Sequence, residues 1–82
     1  MSEHEPPFDP RATSVAALRY LIAVHEQGSF RRAAEQLLVS QPSLSAAIAT
    51  FEQRLGCQVF ERSTRGTHTT PAGERVIAAS HE

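Results

Sequence analysis

Two short helical periods lie almost end to end between residues 29 and 56, and this pairing constrains the fold of the 82-residue chain more than any other feature. In the second period Leu44, Ile48, Phe51 and Leu55 recur at spacings of 4, 3 and 4 residues. At about 100° per residue these side chains share one narrow sector of a helix. Ser40 stands ready as its N-cap, Pro42 falls in the first turn where no intrahelical donor is lost, and Gly56 supplies the stop. The preceding segment, FRRAAEQLL, is capped by Ser29 and is expected to turn Ala33, Ala34, Leu37 and Leu38 inward. Its adjacent alanines let a second helix cross closely. About three residues join the two periods, which leaves room only for a tight corner.

The flanking elements are short as well. A first helix is expected from Thr13 or Ser14 to Gly28, with Val15, Leu18, Leu21 and Ile22 as its inward stripe. Ala17, Tyr20 and Val24 form a weaker apolar edge. Beyond Gly56 the helical period stops. CQVFER alternates as a strand does, STRG is a turn containing glycine and THTT is β-prone, so residues 57–69 read as a β-hairpin. Cys57, Val59 and Glu61 are expected on one side of its first strand, and Gln58, Phe60 and Arg62 on the other. Thr70 and Pro71 restart a helix as N-cap and first residue, with Ala72, Val76 and Ala79 along one face. No stop signal ends this last helix, which reads as cut short.

Length and composition narrow the choice. A chain of 82 residues builds one core and not two. Its 40% hydrophobic and 21% charged content suits a globular domain. No apolar run approaches the roughly 20 residues needed to cross a bilayer, and no basic-then-apolar secretory pattern opens the chain. One cysteine cannot close an internal disulfide, which points to a reducing compartment. The formal charge of −1 argues against a polyanionic partner until it is followed along the chain. Residues 1–10 carry Glu3, Glu5 and Asp9 without a base, plus two adjacent prolines, so residues 1–12 read as a disordered acidic tail. Residues 11–75 hold all 8 bases against five acids. Every base is arginine, whose fork of donors suits phosphate, although GC-rich codon usage also leaves a chain free of lysine.

The outward face of the 40–55 helix is unusual. Pro42, Ala46, Ala49 and Gln53, flanked by Ser43, Ser45 and Thr50, make it small, neutral and polar. A face built only for solubility would carry Glu and Lys, so this one is expected to pack against something. The order helix, helix, tight turn, helix, hairpin, helix is that of a winged helix-turn-helix: mainly α, with a three-helix core and a two-stranded β-hairpin wing. In that fold the 40–55 helix enters the major groove of DNA.

The run LRYLIAVHEQGSFRRAAEQLLVSQPSLSAAI, followed by LGCQVFERSTRGTHTTPAGE, resembles the N-terminal domain of LysR-type bacterial transcriptional regulators. The likeness covers roughly residues 15–77. Gly-Ser-Phe, Arg-Ala-Ala, Val-Ser-Gln-Pro, Leu-Ser, Phe-Glu-Arg and Thr-Pro-Ala-Gly stand in the family's order and spacing. The resemblance implies sequence-specific binding of double-stranded DNA, at a partly palindromic operator, by a homodimer in the bacterial cytoplasm, associated with the nucleoid. It also implies a linker helix forming the dimer seam, and a separate domain, absent here, that takes a small-molecule effector. The chain then divides into the tail over 1–12, a winged helix-turn-helix DNA-binding domain over 13–70, and the start of a truncated linker or dimerisation helix over 71–82. No cofactor is implied in this domain.

Candidate DNA contacts follow from this placement. Ser40, Gln41, Pro42, Ser43 and Ser45 open the recognition helix, where free backbone N–H groups and the helix dipole favour phosphate. For Ser40, capping alone is an equal alternative. Many family members place arginine or lysine directly after Leu-Ser, whereas this chain has Ala46, Ala47, Ala49 and Thr50. Lacking that guanine reader, it relies on Gln41 as the best direct reader, most naturally of adenine, while Ala46 and Ala49 suit thymine methyl groups. A preference for A·T pairs at the centre of each half-site is expected. Arg31 and Arg32, beside the Ser29 cap, sit against the helix dipole; a phosphate contact explains that placement, a solvated face being the alternative. By resemblance Arg62 meets the DNA backbone and Arg65, at the wing tip, reaches phosphate or the minor groove, with Thr67 on the returning strand. Pairing of Arg62 with Glu61 or Glu52 is the structural alternative. A second departure is Leu38, in the turn where glycine is common.

Other chemistry has little support. Cys57 reads as a small buried hydrophobe rather than a redox sensor. His4, His25, His68 and His81 lack metal-ligand spacing, and no Ser/His/Asp or paired-carboxylate arrangement marks an enzyme. The rival reading is a winged-helix module that packs its uncharged helix on a protein instead of on DNA.

Overall fold

The structure, a computed structural model, describes residues 10–80. The acidic stretch 1–9, His4, His81 and Glu82 lie outside the described residues. The elements are α1 (Pro10–Gln27), α2 (Phe30–Leu37), α3 (Gln41–Leu55), β1 (Phe60–Ser63), β2 (Gly66–Thr69) and α4 (Pro71–Ser80). Helix α1 starts earlier than Thr13 or Ser14, so residues 10–12, expected in the tail, are helical. Proline at its first position has φ already suited to a helix.

One cluster forms the core. Leu21 and Val24 of α1, Leu44 of α3 and Val59 are fully enclosed. Phe30, Ala33 and Ala34 of α2, Ile48 and Phe51 of α3, then Phe60 and Ile77, close around them. Helix α3 thus buries its predicted stripe except at Leu55, which is exposed in the last turn. The α1 stripe differs from expectation: Val24 is core rather than edge, and Val15 is 61% exposed. At about 1.5 Å per residue, the 18-residue α1 outreaches its 8-residue neighbour α2, and burial centres on Leu21 to Val24.

Leu38 also departs from expectation. It is 91% exposed instead of inward, with φ of 61° in the left-handed region. The amide of Leu38 donates to the Glu35 carbonyl at 3.3 Å and that of Val39 to the Ala34 carbonyl at 3.1 Å. This paired ending reverses the chain at Leu38 and lays Val39 on the core in its place.

The hairpin is shorter than the sequence pattern implies. Val59 and Phe60 are both buried, so strict alternation fails ahead of β1. The cause is Glu52, whose carboxylate accepts from the amides of Val59 at 2.8 Å and Phe60 at 3.2 Å. β1 and β2 then pair antiparallel from Phe60 with Thr69 to Ser63 with Gly66, leaving Thr64 and Arg65 as the turn. Thr70 caps α4 by accepting from the Gly73 amide at 2.9 Å. The buried positions of α4 are Gly73 and Ile77, four residues apart; of the expected apolar face, Ala72 and Val76 are half-buried and Ala79 is exposed. Among the described residues no helix is long and apolar enough to cross a membrane.

Candidate nucleic-acid interface

The helix-turn-helix corner and the hairpin leave one side of α3 open. Gln41, Pro42, Ser43, Ala46 and Ala49 are exposed along it, and Ser45 is half-buried at its flank. At the head of α3 the Ser40 hydroxyl accepts from the Ser43 amide at 3.1 Å and donates to the Ser43 hydroxyl at 2.8 Å. Ser40 therefore acts as a cap in the free chain, and its cap leaves Gln41 and Pro42 to face outward. The Ser29 hydroxyl does the same for α2, accepting from the Arg32 amide at 3.1 Å.

Arginines stand on both sides of this face. Arg31 and Arg32 lie in the first turn of α2, both exposed, and Arg31 forms an ion pair with Glu35 at 3.1 Å. Exposed pairs of this kind contribute about 0–1 kcal/mol, so Arg31 can exchange its partner cheaply. Arg65 occupies the hairpin tip, where its amide donates to the Ser63 hydroxyl at 3.2 Å. Arg62 is engaged within the domain, and with neither Glu61 nor Glu52. Its guanidinium carbon lies 3.6 Å from the centroid of the Phe30 ring, and its Nη2 donates to the Ser45 hydroxyl at 2.6 Å. Phe30 in turn meets Phe60 edge to face at 6.0 Å.

The fold gathers several sequence-predicted residues into one place. Ser29, Arg31, Gln41, Arg62 and Thr67 line a cleft of about 230 Å³ between α2, the head of α3 and the hairpin. A second groove, about 660 Å³, runs between α3 and the hairpin past Ser45, Ala49, Glu52, Arg62 and His68. Arg65 stands apart at the wing tip, and Ala46 lies on the outer α3 surface, lining neither opening.

Three organising residues escape sequence reasoning. Glu52 holds the entry to β1, Phe30 carries the Arg62 contact, and His25 Nδ1 lies 2.8 Å from the Thr69 hydroxyl, tying α1 to β2. Cys57 is a half-buried thiol rather than a fully buried one. Among the described residues no cluster of three His, Cys, Asp or Glu side chains could hold a metal.

Three helices, a helix-turn-helix corner and a hairpin wing beside an open recognition helix define a winged helix-turn-helix domain. Residues 15–74 match the family described as bacterial regulatory helix-turn-helix protein, lysR family, and the chain belongs to it. It is 48% identical over 56 residues to the transcriptional regulator BenM of Acinetobacter baylyi, covering 68% of this chain and 18% of that protein. It is 42% identical over 65 residues to the uncharacterized regulator YkuM of Bacillus subtilis, covering 79% of this chain and 22% of that one. The chain thus spans about a fifth of the length of these relatives. Among solved structures, the BenM DNA-binding domain in complex with catB site 1 DNA superposes with a TM-score of 0.74 at 42% identity, over 78% of this chain and 72% of that one. A Corynebacterium glutamicum OxyR C206S mutant, H2O2-bound, gives a TM-score of 0.83 at 40% identity, over 92% of this chain and 23% of its own.

Proposed function

We propose that this chain is the DNA-binding domain of a bacterial transcriptional regulator, with α3 in the major groove and the β1–β2 wing on the backbone or in the minor groove. The observation that carries this reading is the neutral, small-residue face of α3 lying open between the arginines of α2 and the arginine at the wing tip. A side chain such as glutamine can reach base edges from such a face, and the flanking guanidinium groups neutralise phosphates on either side. The complex of the BenM DNA-binding domain with DNA supports it, since this chain superposes on that domain with a TM-score of 0.74. Ser29, Arg31, Arg32, Ser43 and Thr67 meet the backbone, Gln41, Ala46 and Ala49 face base edges, and Arg65 reaches phosphate or the minor groove.

The working unit in this reading is a homodimer seamed along the helix that begins at Pro71, on a partly palindromic operator in the cytoplasm. A small-molecule effector acts through a further domain of the kind that the longer relatives have room for. The role is one of binding, not catalysis. A mobility-shift titration of the chain against a random DNA pool at two salt concentrations tests the proposal. Binding that weakens steeply as salt rises is expected; a folded chain indifferent to DNA at both salts refutes it.

A further inference from the structure

We propose that Arg62 is a positioning residue that decides what Ser45 can recognise, rather than an independent phosphate ligand; the proposal rests on the DNA-binding reading of α3. Three observations carry it. The guanidinium carbon lies 3.6 Å over the Phe30 ring, which is itself braced edge to face by Phe60. Its Nη2 donates to the Ser45 hydroxyl at 2.6 Å, a short, charge-assisted bond. Ser45 is half-buried on the flank of the open α3 face and lines the groove between α3 and the hairpin.

A serine hydroxyl carries one O–H donor and two lone pairs, and by itself it suits donors and acceptors equally. Here one lone pair is filled by a cation. The hydroxyl proton turns away from the guanidinium, and the positive charge behind the oxygen polarises it further. The second lone pair stays open but is weakened as an acceptor by that charge, so Ser45 favours the donor role toward DNA and an acceptor opposite it: a purine N7, guanine O6, thymine O4 or a phosphate oxygen. The exocyclic amine of cytosine, a donor, is disfavoured. Arg62 also fixes the wing to α3, because β1 supplies the arginine and α3 the serine.

The test has two parts. In the free chain, unfolding of Arg62→Ala, Ser45→Ala and the double variant is followed by denaturant titration. The double variant is expected to depart from the product of the single effects by about fivefold in the unfolding constant, as contacting pairs do; additive effects overturn the brace. On DNA, sites selected from a random pool by the unchanged chain are titrated with the same variants and with Arg62→Lys. Arg62→Ala and Ser45→Ala are expected to be non-additive in affinity and to leave the salt dependence unchanged. Arg62→Lys is expected to behave like Arg62→Ala, since lysine has neither the planar stack nor the fork. If base choice relaxes at one half-site position in both variants, the acceptor is a base edge; if affinity falls alike on every site, it is a phosphate. A fall of about 0.9 in the salt slope for Arg62→Ala, restored by lysine, overturns the proposal, because a phosphate ligand behaves that way. A chain that keeps the free-state coupling but binds no DNA overturns the parent reading and not the brace.

Discussion

Gly73 meets Val59 backbone to backbone: a Cβ placed on Gly73 would lie 2.3 Å from the Val59 carbonyl oxygen and 2.8 Å from its Cγ1. The same carbonyl accepts from the Thr70 amide at 2.9 Å, so neither partner has room to retreat. By helix propensity alone, Gly73→Ala would stabilise α4 by about 1 kcal/mol. The contact reverses the sign. A net loss of about 1–3 kcal/mol is expected from overpacking, read as a lower denaturant midpoint.

Leu38 offers the opposite case. Its left-handed backbone costs a leucine about 1–2 kcal/mol, and with 91% exposure the side chain returns almost no burial. Leu38→Asn, which tolerates this conformation through local hydrogen bonding, is expected to raise stability by roughly 0.5–1.5 kcal/mol. A melting curve checks it; a loss of stability would show that Leu38 has a packing role.

Glu52 gathers four amides: Gly56 and Cys57 at its carbonyl, Val59 and Phe60 at its carboxylate. Hydrogen bonds to a charged group contribute about 1.5–3 kcal/mol, so Glu52→Ala is expected to cost a comparable amount. Glu52→Gln keeps an acceptor oxygen and is expected to cost less. Hydrogen exchange at the Val59 and Phe60 amides measures both, with protection falling furthest in the alanine variant.

Arg65 stands at the wing tip with an exposed side chain. If it neutralises one phosphate, Arg65→Ala lowers the slope of log affinity against log salt by about 0.9. An unchanged slope removes Arg65 from the backbone contacts.

Gln41 faces outward from the first turn of α3. Sites selected from a random pool are expected to carry A·T pairs at each half-site centre, and Gln41→Ala is expected to relax that choice at a cost of about 1–3 kcal/mol on the preferred site. Half-sites centred on guanine would contradict this.

The fold was largely legible because its signals are local. Ser29, Ser40, Gly56 and Thr70-Pro71 are start and stop residues whose chemistry acts within a turn, and the Leu44, Ile48, Phe51 stripe needs only the helical period. The departures from expectation have two causes, contacts distant in sequence and a backbone reversal, neither of which periodicity can register. Val59 and Phe60 lie side by side in the core because a carboxylate seven and eight residues back takes their amides. Leu38 turns outward and Val39 packs on the core because Leu38 itself takes the left-handed conformation. Ile77 is inward because Gly73, one turn earlier, lets α4 touch Val59. Of the candidate interface, the residue types and their elements were readable, but the Arg62 contact was not: Phe30 and Ser45 are 32 and 17 residues away from it in sequence.

Glu52 is the sole acid of α3, in a helix whose outer side is proposed to lie against a polyanion. A bare carboxylate there would push phosphates away. By directing Oε2 into the amides of Val59 and Phe60, the fold offsets part of that charge with the dipoles of its own backbone, so the residue that shapes the wing repels less of what the wing and helix approach. Shape and charge tolerance are set by one side chain.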